Sequence, residues 1–274
     1  MSNDAKEQER WATEAEFFDR DAQKQLAALR PAHPMTVERY GKLKRRRFSK
    51  EYRFRILGDL KGKKVLDVGC GDGANALNFA LLGAQVTGVD ISPGAIELAK
   101  RRAEINGVAD RCEFICSPME KASLAPGSFD VVWGDAILHH LLADLDAMMA
   151  QIVSFAKPGG IVMFGEPTAV FGLMRGVRAA IPVHTDHTPD ERPLQQQEFD
   201  IITTHLVDPH IRFFSVLSRF DRFVLKGYNY ETASLPRRAL FNVLIGLDYM
   251  LLSLPLVEKI GGTCVIYGKP ARSA

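Results

Sequence analysis

Cysteine is scarce, with Cys70, Cys112, Cys116 and Cys264 the only four in 274 residues and no C-x-x-C spacing among them. That excludes a disulfide scaffold and predicts reduced thiols. A surplus of one charge is also missing. Lys and Arg number 35 against 33 Asp and Glu, a formal +2, so no global field draws the chain to nucleic acid. Nor is there a clean apolar run of the roughly 20 residues a membrane span needs. The strongest stretch, 239–256, is interrupted by Asn242, Asp248 and Pro255. Residues 1–20 are polar and rich in Asp and Glu, unlike the apolar centre of a secretory signal, so the expected location is cytoplasmic. Internal repeats and low-complexity tracts are absent as well.

What remains is a chain with 46% hydrophobic and 25% charged residues, ordinary for a globular protein with one large domain and insertions. Residues 1–60 read as a helical N-terminal cap, in which Trp11, Phe17, Phe18, Leu26 and Leu29 share an amphipathic face before Pro31 and Pro34 break it. Residues 61–274 read as an α/β domain. Apolar runs at 64–68, 84–90, 113–116, 129–134 and 161–165 predict strands, and 74–82, 93–106 and 141–156 predict helices between them. This alternation implies a mainly parallel sheet. It breaks after Glu166, where 167–206, with Pro182, Pro189 and Pro193, reads as a substrate-side lid insertion. Beyond it a helix is expected at 210–220, a strand at 223–230, an apolar helical insertion at about 235–260 and a last strand at 263–267.

The turn Gly69-Cys70-Gly71-Asp72-Gly73 follows the first strand and opens a helix. Glycines there allow positive φ and let the backbone approach a flat ligand. Asp90 ends the second strand, where a carboxylate can accept from both ribose hydroxyls. A nicotinamide dinucleotide would also place a ribose there. The spacing, however, is G-x-G-x-G rather than the dinucleotide G-x-G-x-x-G, and Asp67 inside the first strand suits a cationic cofactor better than a pyrophosphate.

Four blocks in order are similar to class I S-adenosylmethionine-dependent methyltransferases: 65–73, Val86-Thr87-Gly88-Val89-Asp90-Ile91-Ser92, Ser128-Phe129-Asp130-Val131-Val132 and Lys157-Pro158-Gly159-Gly160. The resemblance implies a Rossmann-like, seven-stranded, mainly parallel sheet whose last strand is antiparallel, with insertions after strands 5 and 6. It also implies S-adenosyl-L-methionine as cofactor. Gly69 and Gly71 would contact it, with Cys70 in the same turn; Asp90 and Ile91 would hold the ribose, and Asp67 the amino-acid end. After the third strand, where the family often has an acid for the adenine, this chain has Ser117, Pro118 and Met119: Ser117 to hydrogen-bond, Met119 to pack on the ring or simply to fill a loop.

The fourth strand runs into Asp135-Ala136-Ile137-Leu138-His139-His140, setting Asp135 and two histidines beside the expected sulfonium. Methyl transfer needs an aligned nucleophile and a base to take its proton, a role that suits histidine. His140 is the favoured base, His139 the alternative, and Glu166, ending the fifth strand, a third candidate or a carboxylate that orients a histidine. The run after Asp135 lacks the two prolines and aromatic of nucleic-acid and amide-nitrogen methyltransferases, so the acceptor is expected to be an oxygen, amine nitrogen or carbon of a small molecule. A nicotinamide oxidoreductase and a catalytically silent cofactor-binding module remain as alternatives. The basic cluster Lys42, Lys44, Arg45, Arg46, Arg47 and Lys50 admits an anionic acceptor, and Arg47 or Tyr52 could reach a cofactor carboxylate. The 239–256 segment suits a buried, dimerising or membrane-touching helix and leaves a lipid-like acceptor open. His184, Asp186 and His187 lack a metal signature, and no metal is expected.

Overall fold

The computed structural model describes residues 3–41, 48–170, 192–225, 230–255 and 257–271. Three helices, α1 (Asn3–Ala28), α2 (Pro34–Gly41) and α3 (Ser49–Leu57), precede the first strand. The alternating region then supplies β1 (Lys64–Val68), α4 (Ala74–Leu81), β2 (Gln85–Asp90), α5 (Pro93–Ile105), β3 (Cys112–Cys116), β4 (Phe129–Asp135), α6 (Leu145–Ser154) and β5 (Ala156–Pro167). The remainder contributes α7 (Gln196–Thr204), β6 (Leu206–Phe214), α8 (Asp221–Val224), α9 (Leu235–Leu251) and β7 (Thr263–Pro270).

The sheet has seven strands in the order β3-β2-β1-β4-β5-β7-β6. β1 to β5 pair in parallel, and β7 runs antiparallel to both β5 and β6. The last strand is therefore antiparallel, as the resemblance implied. Side chains alternate between two cores. Leu66, Val132 and Phe164 pack with α6 and α7 through Met149, Ile152, Phe199 and Ile202. Val65, Trp133 and Met163 pack on the other face with Phe54, Leu57 and Phe79. α3 thus belongs to the main core of the sheet. Strand order reverses between β1 and β4, which opens a crevice at their carboxyl ends, the place where open α/β sheets bind ligands.

Three expectations need correction, two of them past Glu166. Residues 206–214 form β6, where a helix was expected from 210. His210 and Phe214 face one side and Ile211 and Phe213 the other, both sides carry apolar residues, and so no period survives to be read. Of the strand expected at 223–230, residues 223–224 end α8, residue 225 lies in a bend and residue 230 in a turn, while 226–229 lie outside the described residues. The helix expected over 141–156 is shortened to 145–154 by two 3₁₀ turns before it, and β5 starts directly behind it at Ala156. No described helix is long and apolar enough to cross a membrane. Among the described residues no His, Cys, Asp and Glu group could hold a metal ion. His184, Asp186, His187 and the basic cluster from Lys42 to Arg47 lie outside the described residues.

Candidate functional site

Gly69 (φ +63°) and Gly71 (φ +50°) adopt the left-handed backbone that residues with a Cβ avoid. A Cβ on Gly69 would lie 2.5 Å from Ile137 Cδ1, whereas one on Gly71 would meet nothing within 4 Å. The turn is packed underneath and open above. Asp90 braces it, accepting from the Gly71 amide at 2.8 Å through one oxygen and from the Ser92 amide at 3.0 Å through the other. Burial raises its pKa even though those two amides oppose the shift. Each oxygen keeps a further lone pair for a ligand hydroxyl.

The other walls are mostly passive. Cys70 is buried, and burial, reinforced by Asp67 and Asp90, pushes its thiol far up, so it is an inert side chain. Ile91 is half-buried beside Asp90, and its carbonyl accepts from Cys116 Sγ at 3.7 Å. The Ser117 amide donates to the Asp90 carbonyl at 2.9 Å, tying the β3 loop to the end of β2, while its hydroxyl donates to the Pro118 carbonyl at 2.9 Å. Met119 is buried in the core with Val68 and Val89.

A charged end lies beyond the glycines. Asp67 is fully buried, and neither of its oxygens has a hydrogen-bond partner among the described residues. Burial first, and Asp135 next, hold its carboxyl well above the usual range. Asp135 behaves oppositely: burial would raise it, but Arg53 and Lys50 hold it below its ordinary value. Arg53 Nη2 lies 2.8 Å and Lys50 Nζ 3.5 Å from Asp135, and Asn75 donates to it at 3.2 Å. The Arg53 guanidinium, 4.2 Å from the Trp133 ring centre, is buried, and its Nε and Nη1 have no hydrogen-bond partner among the described residues. Arg53 is the residue that the sequence reading passed over. Tyr52, its neighbour, points elsewhere, into the rings of Phe214 and Tyr267, where burial and Tyr267 push its phenol up to about 12. Arg47 lies outside the described residues.

One of the two histidines meets Glu166. This carboxylate is 1% exposed; one oxygen accepts from the Ile137 and Leu138 amides at 2.9 and 2.8 Å, and the other lies 2.9 Å from His139 Nδ1. A carboxylate there binds Nδ1–H and leaves the Nε2 lone pair as the basic site. His140 instead has its Nδ1 at 3.6 Å from Glu14 and its ring 5.9 Å from Phe18 and 4.3 Å from His139. Glu14 and Phe18 sit on α1, which lies across the crevice. Asp19 on the same helix accepts from Ser92 Oγ at 2.6 Å and the Gly94 amide at 2.7 Å, and Arg10 pairs with Glu120 at 2.7 Å.

A family model described as "Methyltransferase domain" matches residues 65–160. Over residues 65–160 the chain is therefore similar to methyltransferase domains. The chain is 38% identical over 108 residues to the ubiquinone biosynthesis O-methyltransferase of Bordetella bronchiseptica, covering 39% of this chain and 44% of that protein. It spans less than half the length of the curated relatives it matches. Two solved structures share the fold. Magnesium protoporphyrin IX methyltransferase of Synechocystis PCC 6803 aligns with a TM-score of 0.51 at 18% identity, over 73% of this chain and 92% of that one. The [4+2]-cyclase SpnF aligns with a TM-score of 0.50 at 23% identity, over 77% of each chain. The methyltransferase domain match contains the glycine turn, Asp90 and both histidines, while Arg53, Glu166 and the α1 contacts lie outside it.

Proposed function

We propose that the chain transfers the methyl group of S-adenosyl-L-methionine to an oxygen, amine nitrogen or carbon of a small molecule, with His139 as the base. The observation that carries this is the buried Glu166–His139 pair, tied through the Ile137 amide to the side chain that packs against Gly69. The residues also fit the cofactor. Asp67 offers two unpartnered oxygens to an ammonium group, and Arg53 offers two unpartnered nitrogens to a carboxylate. Gly71 leaves room for the adenosyl group, and Asp90 has lone pairs for the ribose. A dinucleotide pyrophosphate would fit poorly, since Asp67 and Asp135 would both oppose it.

S-adenosylmethionine supplies an electrophilic methyl group on a sulfonium. The protein's task is alignment and removal of the acceptor's proton. Glu166 fixes the His139 ring through Nδ1, and Nε2 receives the proton from the acceptor. The α1 helix reaches over this region through Glu14, Phe18 and Asp19. The curated relatives are named for O-methylation in ubiquinone biosynthesis, which favours a hydroxyl acceptor and keeps a lipid-like one in view. An anionic acceptor rests on the sequence of the basic cluster alone.

Incubating the purified protein and a cell extract with isotope-labelled donor should yield one labelled small molecule by mass spectrometry. Tight S-adenosylhomocysteine binding with no labelled product would leave a binding module. Binding of a nicotinamide cofactor in its place would make the chain an oxidoreductase.

A further inference from the structure

We propose that Ala136 is a positioning residue of the methyl-transfer site: its left-handed backbone aims two amides at Glu166 and so holds that carboxylate on His139. The inference rests on the methyltransferase reading above. Non-glycine residues with positive φ among those described are Ala136 at +60°, Asp208 at +50° and Ser215 at +66°. Asp208 lies between Val207 and His210, where β6 slips its register against β7, and aspartate tolerates this conformation. Ser215 follows β6, and its hydroxyl meets Thr263 Oγ1 at 3.0 Å. Ala136 has no polar side chain to compensate, and it is exposed, so no packing of its methyl imposes the conformation. A strained backbone of this kind persists only where its surroundings over-determine it.

Here the surroundings act on both sides. The Ala136 amide donates to the Gly165 carbonyl at 2.7 Å, where the pairing of β4 with β5 ends at Asp135 and Gly165. The chain then turns. The Ile137 and Leu138 amides donate to one Glu166 oxygen at 2.9 and 2.8 Å, leaving the other 2.9 Å from His139 Nδ1. Successive amides after a left-handed residue make the kind of concavity that holds an anion. The same turn seats Ile137 between two glycines: a Cβ would lie 2.5 Å from its Cδ1 at Gly69 and 2.7 Å from its Cγ2 at Gly134. An extended Ala136 would carry β4 onward along β5 and turn the following amides away from Glu166. Glu166 could not follow them, because its main chain is paired with Cys264 of β7. One strained residue thus ties the Glu166–His139 pair to the glycine turn.

The test compares Ala136→Gly, Ala136→Asn, Ala136→Leu and Ala136→Thr in the full chain, reading the His139 tautomer by imidazole nitrogen NMR of the free protein, with His139→Ala to assign its signals. Glycine and asparagine tolerate positive φ, leucine does so less and β-branched threonine least. Asn and Thr are close in size, so a steric effect would treat them alike and put Leu last. The wild type, Ala136→Gly and Ala136→Asn should keep the neutral ring's proton on Nδ1. Ala136→Thr should lose it to a mixture with Nε2–H, and Ala136→Leu should do so less. Turnover of labelled donor with cell extract should fall in the same order, by about tenfold or more for Ala136→Thr. Ala136→Gly should melt at or above the wild type, since glycine weakens ordinary positions but relieves one at positive φ. If Ala136→Thr does not fold, Ala136→Leu against Ala136→Asn carries the comparison. Equal tautomer populations in all folded variants, a loss that follows size with Ala136→Leu worst, or a wild-type ring protonated on Nε2 overturns the proposal. So does an Ala136→Gly that melts clearly below the wild type. The tautomer is read without cofactor and so stands apart from the methyltransferase reading, which S-adenosylhomocysteine calorimetry on the wild type tests.

Discussion

At the residue scale, Glu166 accepts from two main-chain amides and lies 2.9 Å from His139 Nδ1. Replacing it with Gln keeps an oxygen for the amides but turns an N–H towards Nδ1, which moves the ring proton to Nε2 and removes the base. Glu166→Gln and His139→Ala should each lower kcat about 100-fold or more. S-adenosylhomocysteine affinity should change by no more than about threefold, because the loss lies in the transition state. His140→Ala should cost roughly tenfold at most on the same scale. Steady-state kinetics with calorimetry on the three variants checks this, and equal losses at both histidines would contradict it. Both histidines and Glu166 are legible as a group in the sequence, but the favoured choice there is His140. What sets the two rings apart in the structure is the pairing of β4 with β5, which lays Asp135 beside Gly165 and brings Glu166 to His139. No local pattern encodes that register. Arg53 was closer to legible, since it lies three residues from Lys50 and so shares a helix face with it.

At the element scale, α1 is joined to the cofactor region largely by polar contacts. Asp19 binds the Ser92 hydroxyl and Gly94 amide, and Ser92 both caps α5 through the Ala95 amide at 2.9 Å and donates its own amide to Asp90. The cap helix α1 is thus coupled through one serine to Asp90, the proposed ribose ligand. Asp19→Ala should weaken S-adenosylhomocysteine binding about fivefold to tenfold by calorimetry while costing only about 1 kcal/mol of stability, the scale of a lost helix cap. Unchanged affinity would mean that α1 covers the site without helping to form it. The helical character of this region is readable from its apolar spacing and prolines. Its destination is not, because side chains such as Asp19 reach partners 73 to 75 positions away. The opposite failure occurs at β6, where burial on both faces erases the alternation that would have marked a strand.

For the whole molecule, Asp67 links stability, pH and ligand. The folded chain holds this carboxyl well above its ordinary value, chiefly through burial and then through Asp135, whereas in the unfolded chain it titrates near about 3.9. Between those values folding takes up a proton. The stability this contributes is fully present below the unfolded value and is lost as pH rises through the folded one. Asp67→Asn cannot titrate, so the free wild type should lose more Tm between about pH 5 and pH 8 than the variant does. A ligand ammonium reverses the balance by favouring the ionised carboxylate, so binding should expel a proton in the window where the free protein holds one. The heat of S-adenosylhomocysteine binding should then vary with the ionisation enthalpy of the buffer for the wild type and not for Asp67→Asn, whose affinity should fall roughly tenfold, the scale of one lost charge-assisted hydrogen bond. Parallel melting curves together with buffer-independent heats would mean that Asp67 is already ionised before the ligand arrives, and that the ammonium is received elsewhere.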